Sequence, residues 1–183
     1  DVPPSVAGAL VTSEGLAMAV ALVAAAEASS AAAAEEEAAC EMQVEADDEN
    51  LMRWRVRLGM PRSSPLGAEL AALAAQTSLL PAVTLDVMLP FNFPAAPPFV
   101  RVVSPRFAFH TGHVTIGGSL CFVLLTSVGW QPSYPMRSVF SGIRSAMLDG
   151  GARLCPRCAH VPYEEAEAHR AFWRVARQHG WES

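Results

Sequence analysis

Between residues 41 and 58 apolar and polar side chains alternate in two runs. Met42 and Val44 alternate with Glu41, Gln43 and Glu45; Trp54, Val56 and Leu58 alternate with Arg53, Arg55 and Arg57. Successive strand side chains point to opposite faces, so this period predicts two strands, the second with one apolar face and one guanidinium face. The arginines need no role beyond solvating that face. Val83, Leu85, Val87 and Leu89 opposite Thr84, Asp86 and Met88 predict a third strand, ended by Pro90. Pro94, Pro97 and Pro98 then forbid ladder bonding and force an extended, turning link. Phe99–Val103 reads as a fourth strand, stopped by Pro105. Together these predict an antiparallel meander of four strands.

Elsewhere the period lengthens. Residues 66–80 form a short Ala/Leu helical stretch. Val139, Phe140, Ile143 and Met147 make a helical stripe behind Pro135, ended by Asp149-Gly150-Gly151. A last helix is predicted from Glu164 to His179, burying Ala168, Phe172, Val175 and Ala176, with Gly180 as its stop. Residues 1–39 are dominated by alanine. Ser13 is a candidate cap and Leu16, Val20 and Val23 a thin stripe, so a helix followed by a low-complexity linker is expected, apart from a core at 40–183. Between Pro105 and Val139 no period appears. A long irregular stretch that carries Phe122, Val123, Leu124, Leu125 and Trp130 points to function rather than disorder.

Composition narrows the classes. With 183 residues, 51% of them apolar, the chain has material for one domain and a tail. A net charge of -5 and basic residues with no long run exclude a nucleic-acid surface. Gly15–Ala26 falls short of the ~20 residues of a membrane span and lacks the basic flank of a secretory signal, so no membrane partner is expected. A chain starting with Asp rather than Met is expected to be a fragment or processed product. All 13 basic residues are arginine. Biased coding usage accounts for that, and avoidance of self-modification is the functional alternative. Four cysteines, at 40, 121, 155 and 158, are too few and too uneven for a disulfide framework. A reducing compartment, cytoplasmic or nuclear, is the expectation. In "CPRCAH" Cys155 and Cys158 offer half a zinc site near His160, but no fourth ligand stands at motif spacing. A surface loop with free thiols is expected there, with no metal and no cofactor.

Within the irregular stretch, "GGSLCFVLLTSVGW" places Cys121 after Gly117-Gly118-Ser119. By residue type Cys121 is either a reactive thiol or a buried small hydrophobe. Small residues ahead of it would let an extended peptide tail approach the backbone closely. The element order, with "ENLMRWRVRLGM", "FNFPAAPPFVRVVSP" and "GGSLCFVLLTSVGWQPSYPMRSV", resembles the ubiquitin-conjugating enzymes. "PPFVRVVSP", the glycine-rich approach to the cysteine, "GGARL" and the closing "HGW" are most similar to the Q-type subgroup, over residues 40–181.

The resemblance implies an α+β ubiquitin-conjugating fold. It also implies that Cys121 accepts ubiquitin from an activating enzyme as a thioester and passes it to a lysine of a protein substrate, often with a ligase. Most of the family carries His-Pro-Asn, its Asn eight positions before the cysteine. Here Thr111, Gly112 and His113 stand there, as the Q-type subgroup also lacks the tripeptide. An imidazole N–H donates as an amide does, so His113 is a candidate substitute; the alternative is a loop histidine packed on Phe109 or facing water. His110 reads as structural. The family's acidic assistance maps weakly to Asp149, which also fits a helix-terminal turn. Ligase contacts map to Ala95, where an aromatic is common, and to Pro132 and Ser133. Two other readings are a catalytically silent module binding ubiquitin or a ligase, and a cysteine hydrolase with His113 as base.

Overall fold

The computed structural model describes residues 13–180. The part of the 1–39 segment ahead of Ser13, the side chains of Ser13, Leu16, Val20 and Val23, and the closing Trp181 lie outside the described residues. The chain divides into two compact units between Glu35 and Glu36. The division falls inside α1 (Ser13–Ala39). Helix thus continues to Ala39 where a linker was expected, because alanine is the strongest helix former. In the second unit the Glu36 carboxylate accepts from the Arg62 N–H at 2.8 Å and from the Ser63 hydroxyl. Among the described residues no helix is long and apolar enough to cross a membrane.

The second unit is built on the expected meander. β1 (Met42–Ala46), β2 (Arg53–Gly59), β3 (Ala82–Met88) and β4 (Phe99–Ser104) pair in that order, every neighbour antiparallel. α2 (Pro65–Gln76) joins β2 to β3. The Ser64 hydroxyl caps its start by accepting from the Gly67 N–H, with proline in the first turn. It stops short of residue 80 because Thr77 leaves helical geometry and its hydroxyl turns back to the Leu73 carbonyl at 2.8 Å. α3 (Met136–Asp149) and α4 (Glu165–His179) follow the long loop.

One core gathers inward residues of the sheet, α2 and α3. Val56, Leu58, Val83, Leu85, Val87, Val100 and Val102 from the sheet join Leu66 and Leu70 of α2 and Val139, Phe140, Ile143 and Met147 of α3. Each fully buried aliphatic or aromatic side chain contributes about 1.5–3 kcal/mol of transfer free energy. On α4, Ala168, Ala171 and Ala176 are buried, whereas Phe172 and Val175 are only half-buried.

The arginine face of β2 is not simply solvated. β2 and β3 align Arg55 with Asp86, and the Asp86 side chain, on that polar face, is wholly buried. Arg53 donates to it twice, at 2.9 and 2.6 Å, and Arg101 of β4 adds a bond at 2.9 Å. The start of α4 covers this cluster. Glu165 accepts from Arg53 at 2.8 Å, and the Tyr163 carbonyl accepts from Arg101 at 3.2 Å. Burial alone would push the Asp86 carboxyl up, but the two guanidinium groups hold it below the ordinary carboxylate value. At Arg53 the expected solvated face becomes a partly covered ion cluster around buried Asp86 and Arg101, because α4, distant in sequence, docks beside it.

Candidate active site

β4 continues past Pro105 into a loop that returns along its own edge. Val102 N–H donates to the Gly118 carbonyl at 2.7 Å, and Leu120 N–H to the Val100 carbonyl at 3.2 Å. Residues 118–120 therefore extend the sheet by a short rung, with Arg101 bridged to Ser119. The loop also folds on itself as a tight hairpin. Val114 bridges Leu120, both buried, and Thr115 N–H donates to the Ser119 carbonyl at 2.9 Å. At the base of this hairpin Cys121 N–H donates to the His113 carbonyl at 2.9 Å. Cys121 thus leaves a hydrogen-bonded platform, not a floppy loop.

Gly117 and Gly118 have a different use from the one expected. A Cβ on Gly117 would lie 2.3 Å from the Glu167 carbonyl oxygen of α4, and one on Gly118 2.6 Å from the Tyr163 ring. Both are buried, and Gly118 has φ +90, open to glycine. Their missing side chains make room for α4 and Tyr163. They leave no clearance for an incoming tail, because the chain itself fills the space.

Beyond Cys121, a 3-10 turn at Val123–Leu125 buries Leu125 and leaves Val123 exposed. The buried Trp130 donates its indole N–H to the Pro94 carbonyl at 2.7 Å, and its ring lies 6.1 Å from that of Phe93. That contact holds the proline-rich turn beside the turn after Trp130. Ala95, Pro132 and Ser133 are all exposed on these two turns. Phe91, which no sequence signal marked, stands wholly exposed on the first, and Val128 is exposed ahead of the second.

The Cys121 thiol is free and half-buried, and burial pushes its pKa up. It lines a cavity of about 500 Å³ between the 109–116 loop and the last turns of α4. His110, His113, Arg174 and Gln178 contribute polar groups to the wall, and among the described residues no Asp or Glu does. Arg174 and Gln178 were missed because nothing near Cys121 in sequence announces a helix more than fifty residues later. His113 is exposed, with φ 58, a left-handed conformation in which Asn, Asp and His are enriched. Its ring lies against Gly150, where an added Cβ would meet it at 2.8 Å, with the Phe122 ring 6.3 Å away. His113 reaches Cys121 through its backbone carbonyl, not its ring. His110, not His113, packs on Phe109, with ring centroids 3.7 Å apart. Asp149 is the exposed last residue of α3.

Cys155 and Cys158 are joined to each other in a disulfide, which corrects the expected pair of free thiols. Their Cα atoms lie 5.3 Å apart, within disulfide reach, because the turn between them is tight. Among the described residues no group of three or more His, Cys, Asp and Glu is placed to hold a metal ion.

No protein-family model matches the chain. It is 31% identical over 146 residues to a human Q-like ubiquitin-conjugating enzyme, covering 76% of this chain and 86% of that protein. A Q-like ubiquitin-conjugating protein of Drosophila melanogaster is 32% identical over 143 residues; the chain spans 44% of that relative's length. Among solved structures, a ubiquitin conjugating enzyme from Plasmodium falciparum matches with a TM-score of 0.45 and 19% identity, over 58% of this chain and 81% of that one.

Proposed function

The chain belongs to the ubiquitin-conjugating enzymes of the Q-like kind, and on that premise we propose that it carries ubiquitin as a thioester on Cys121. The observation that carries the proposal is the thiol's setting. It is free, half-buried, anchored by its own backbone to His113 and lines a cavity of about 500 Å³. In charging, the Cys121 thiolate attacks the carbonyl of ubiquitin's thioester on the activating enzyme, and the activating enzyme's thiolate leaves. In discharge, a substrate lysine amine attacks the Cys121 thioester, the Cys121 thiolate leaves, and the amine gives up a proton as the isopeptide forms.

A thiolate of higher pKa is a poorer leaving group, which slows loss of the loaded thioester to water and to amine alike, so discharge depends on how the amine is positioned. The His113 imidazole, on the same cavity wall, is assigned the donor role toward the oxyanion of discharge. The two turns carrying Ala95, Pro132 and Ser133 form the ligase-facing surface. Phe91 supplies there the apolar anchor that Ala95 lacks. With no lysine, the chain offers no side-chain amine of its own to the loaded thioester.

The test is a charging reaction with activating enzyme, ATP and ubiquitin, read on a non-reducing gel. A thiol-sensitive adduct is expected, with Cys121→Ser giving none or a thiol-resistant oxyester. No adduct where a control enzyme charges would sink the proposal and leave a silent binding module.

A further inference from the structure

The turn Cys155-Pro156-Arg157-Cys158 lies in the α3–α4 connection and takes no part in the chemistry assigned to Cys121. Cys155 and Cys158 are both half-buried and flank the exposed Pro156 and Arg157, so neither residue is wholly enclosed. The bond between them closes only the four residues of one turn, so it removes little chain entropy from the unfolded state and is a poor staple. The turn keeps its shape by other means. Ala159 N–H donates to the Cys155 carbonyl at 3.1 Å, and Val161 N–H to the Cys158 carbonyl at 3.0 Å. From the neighbouring segment, Cys155 N–H donates to the Arg106 carbonyl at 2.9 Å and Arg106 N–H to the Ala159 carbonyl at 3.0 Å. With the backbone held this way, reduction leaves two thiols facing each other, ready to close again.

The same segment reaches the platform under Cys121. Arg106 stacks over the Tyr163 ring at 4.2 Å and donates to Glu167 at 2.6 Å. The Tyr163 hydroxyl accepts from Phe107 N–H at 2.9 Å, and its ring fills the space above Gly118, three residues before Cys121.

We propose that Cys155 and Cys158 form a reversible thiol–disulfide exchange site for a low-molecular-weight disulfide of the glutathione type. In oxidation, one cysteine thiolate attacks a sulfur of the small disulfide and releases one small thiolate. The second cysteine thiolate then displaces the other. Two protein thiols and one small disulfide become one protein disulfide and two small thiols; excess small thiol reverses both steps.

The full chain is equilibrated in buffers of graded reduced-to-oxidised glutathione ratio, quenched, alkylated and mapped by peptide mass. Cys155 and Cys158 should pass together from closed to alkylated across the series and return when the ratio is reversed, and Cys155→Ser should leave a glutathione adduct on Cys158. A pair closed at every ratio yet open once the chain is unfolded in reductant would overturn the proposal as an inert crosslink. A pair alkylated at every ratio would overturn it equally. None of these readouts involves ubiquitin, so their failure is separate from any failure of Cys121 to charge.

Discussion

Asp86 and Cys121 are both ionisable and both withdrawn from solvent, yet their surroundings push them in opposite directions. Asp86 is wholly buried but meets Arg53 and Arg101, so its charge is held on. Cys121 is half-buried with no cation-driven shift, and burial alone pushes its thiol up. A buried charge that has its partners serves the fold. A thiol kept neutral until a carbonyl arrives would fit the carrier role proposed for Cys121. Burial is thus not what separates a structural group from a reactive one; what the group is given to pair with does.

The contrast can be broken most severely at the Asp86 end. Arg101→Met leaves a buried carboxylate with half its partners and should cost about 3–5 kcal/mol, read by denaturant unfolding. The pH profile supplies the sign. A carboxyl held below its unfolded value stabilises above that value, and the stability is lost as pH falls through the ordinary carboxylate range towards the lower folded pKa. In Arg101→Met that acid-side loss should shrink; an unchanged acid flank would show that Asp86 is not its source.

At the Cys121 end, His113→Gly keeps the left-handed backbone that holds Cys121 but removes the ring. Charging should persist while discharge to free lysine slows by about ten-fold or more, towards the ~100-fold typical of losing an oxyanion donor. His113→Asn should recover most of that rate. Equal discharge in all three proteins would leave His113 only its carbonyl.

The thiol itself sharpens the comparison through pH. Only the thiolate reacts, so alkylation of Cys121 should rise about ten-fold per pH unit, continuing past the roughly 8.5 of an ordinary cysteine. A plateau below that pH would mean an unseen cation pairs with the thiol. The smallest effect is expected at the surface. Phe91→Ala should weaken ligase-stimulated discharge by about 1 kcal/mol while leaving charging untouched, measured with any ligase that stimulates the parent chain.

Much of the frame was legible because it is written at short range. Period-two alternation marked the first three strands, the run Phe99–Val103 stopped by Pro105 marked the fourth, and the stripe Val139, Phe140, Ile143 and Met147 marked α3. Prolines 94, 97 and 98 marked the turn between β3 and β4. Around Cys121 the reading failed wherever a partner lay far along the chain. Gly117 and Gly118 read as clearance for a ligand, but α4 and Tyr163 occupy that space. The β2 arginines read as solvated, but Glu165 caps Arg53. Cys155 and Cys158 read as free, since spacing alone does not say whether two sulfurs meet or hold something between them.

The amino-acid order therefore determined the elements, their sequence along the sheet and the identity of the one cysteine in the long loop, since periodicity and proline act on neighbours. Tertiary structure decided what those residues experience. Trp130 reaches Pro94 across 36 positions to set the two exposed turns side by side, and Tyr163 reaches Phe107 across 56 to brace the loop. α4 brings Arg174 and Gln178 to the cavity at Cys121. The reason is physical: a side chain's pKa, exposure and partners depend on everything packed against it, and most of that arrives from elsewhere in the chain.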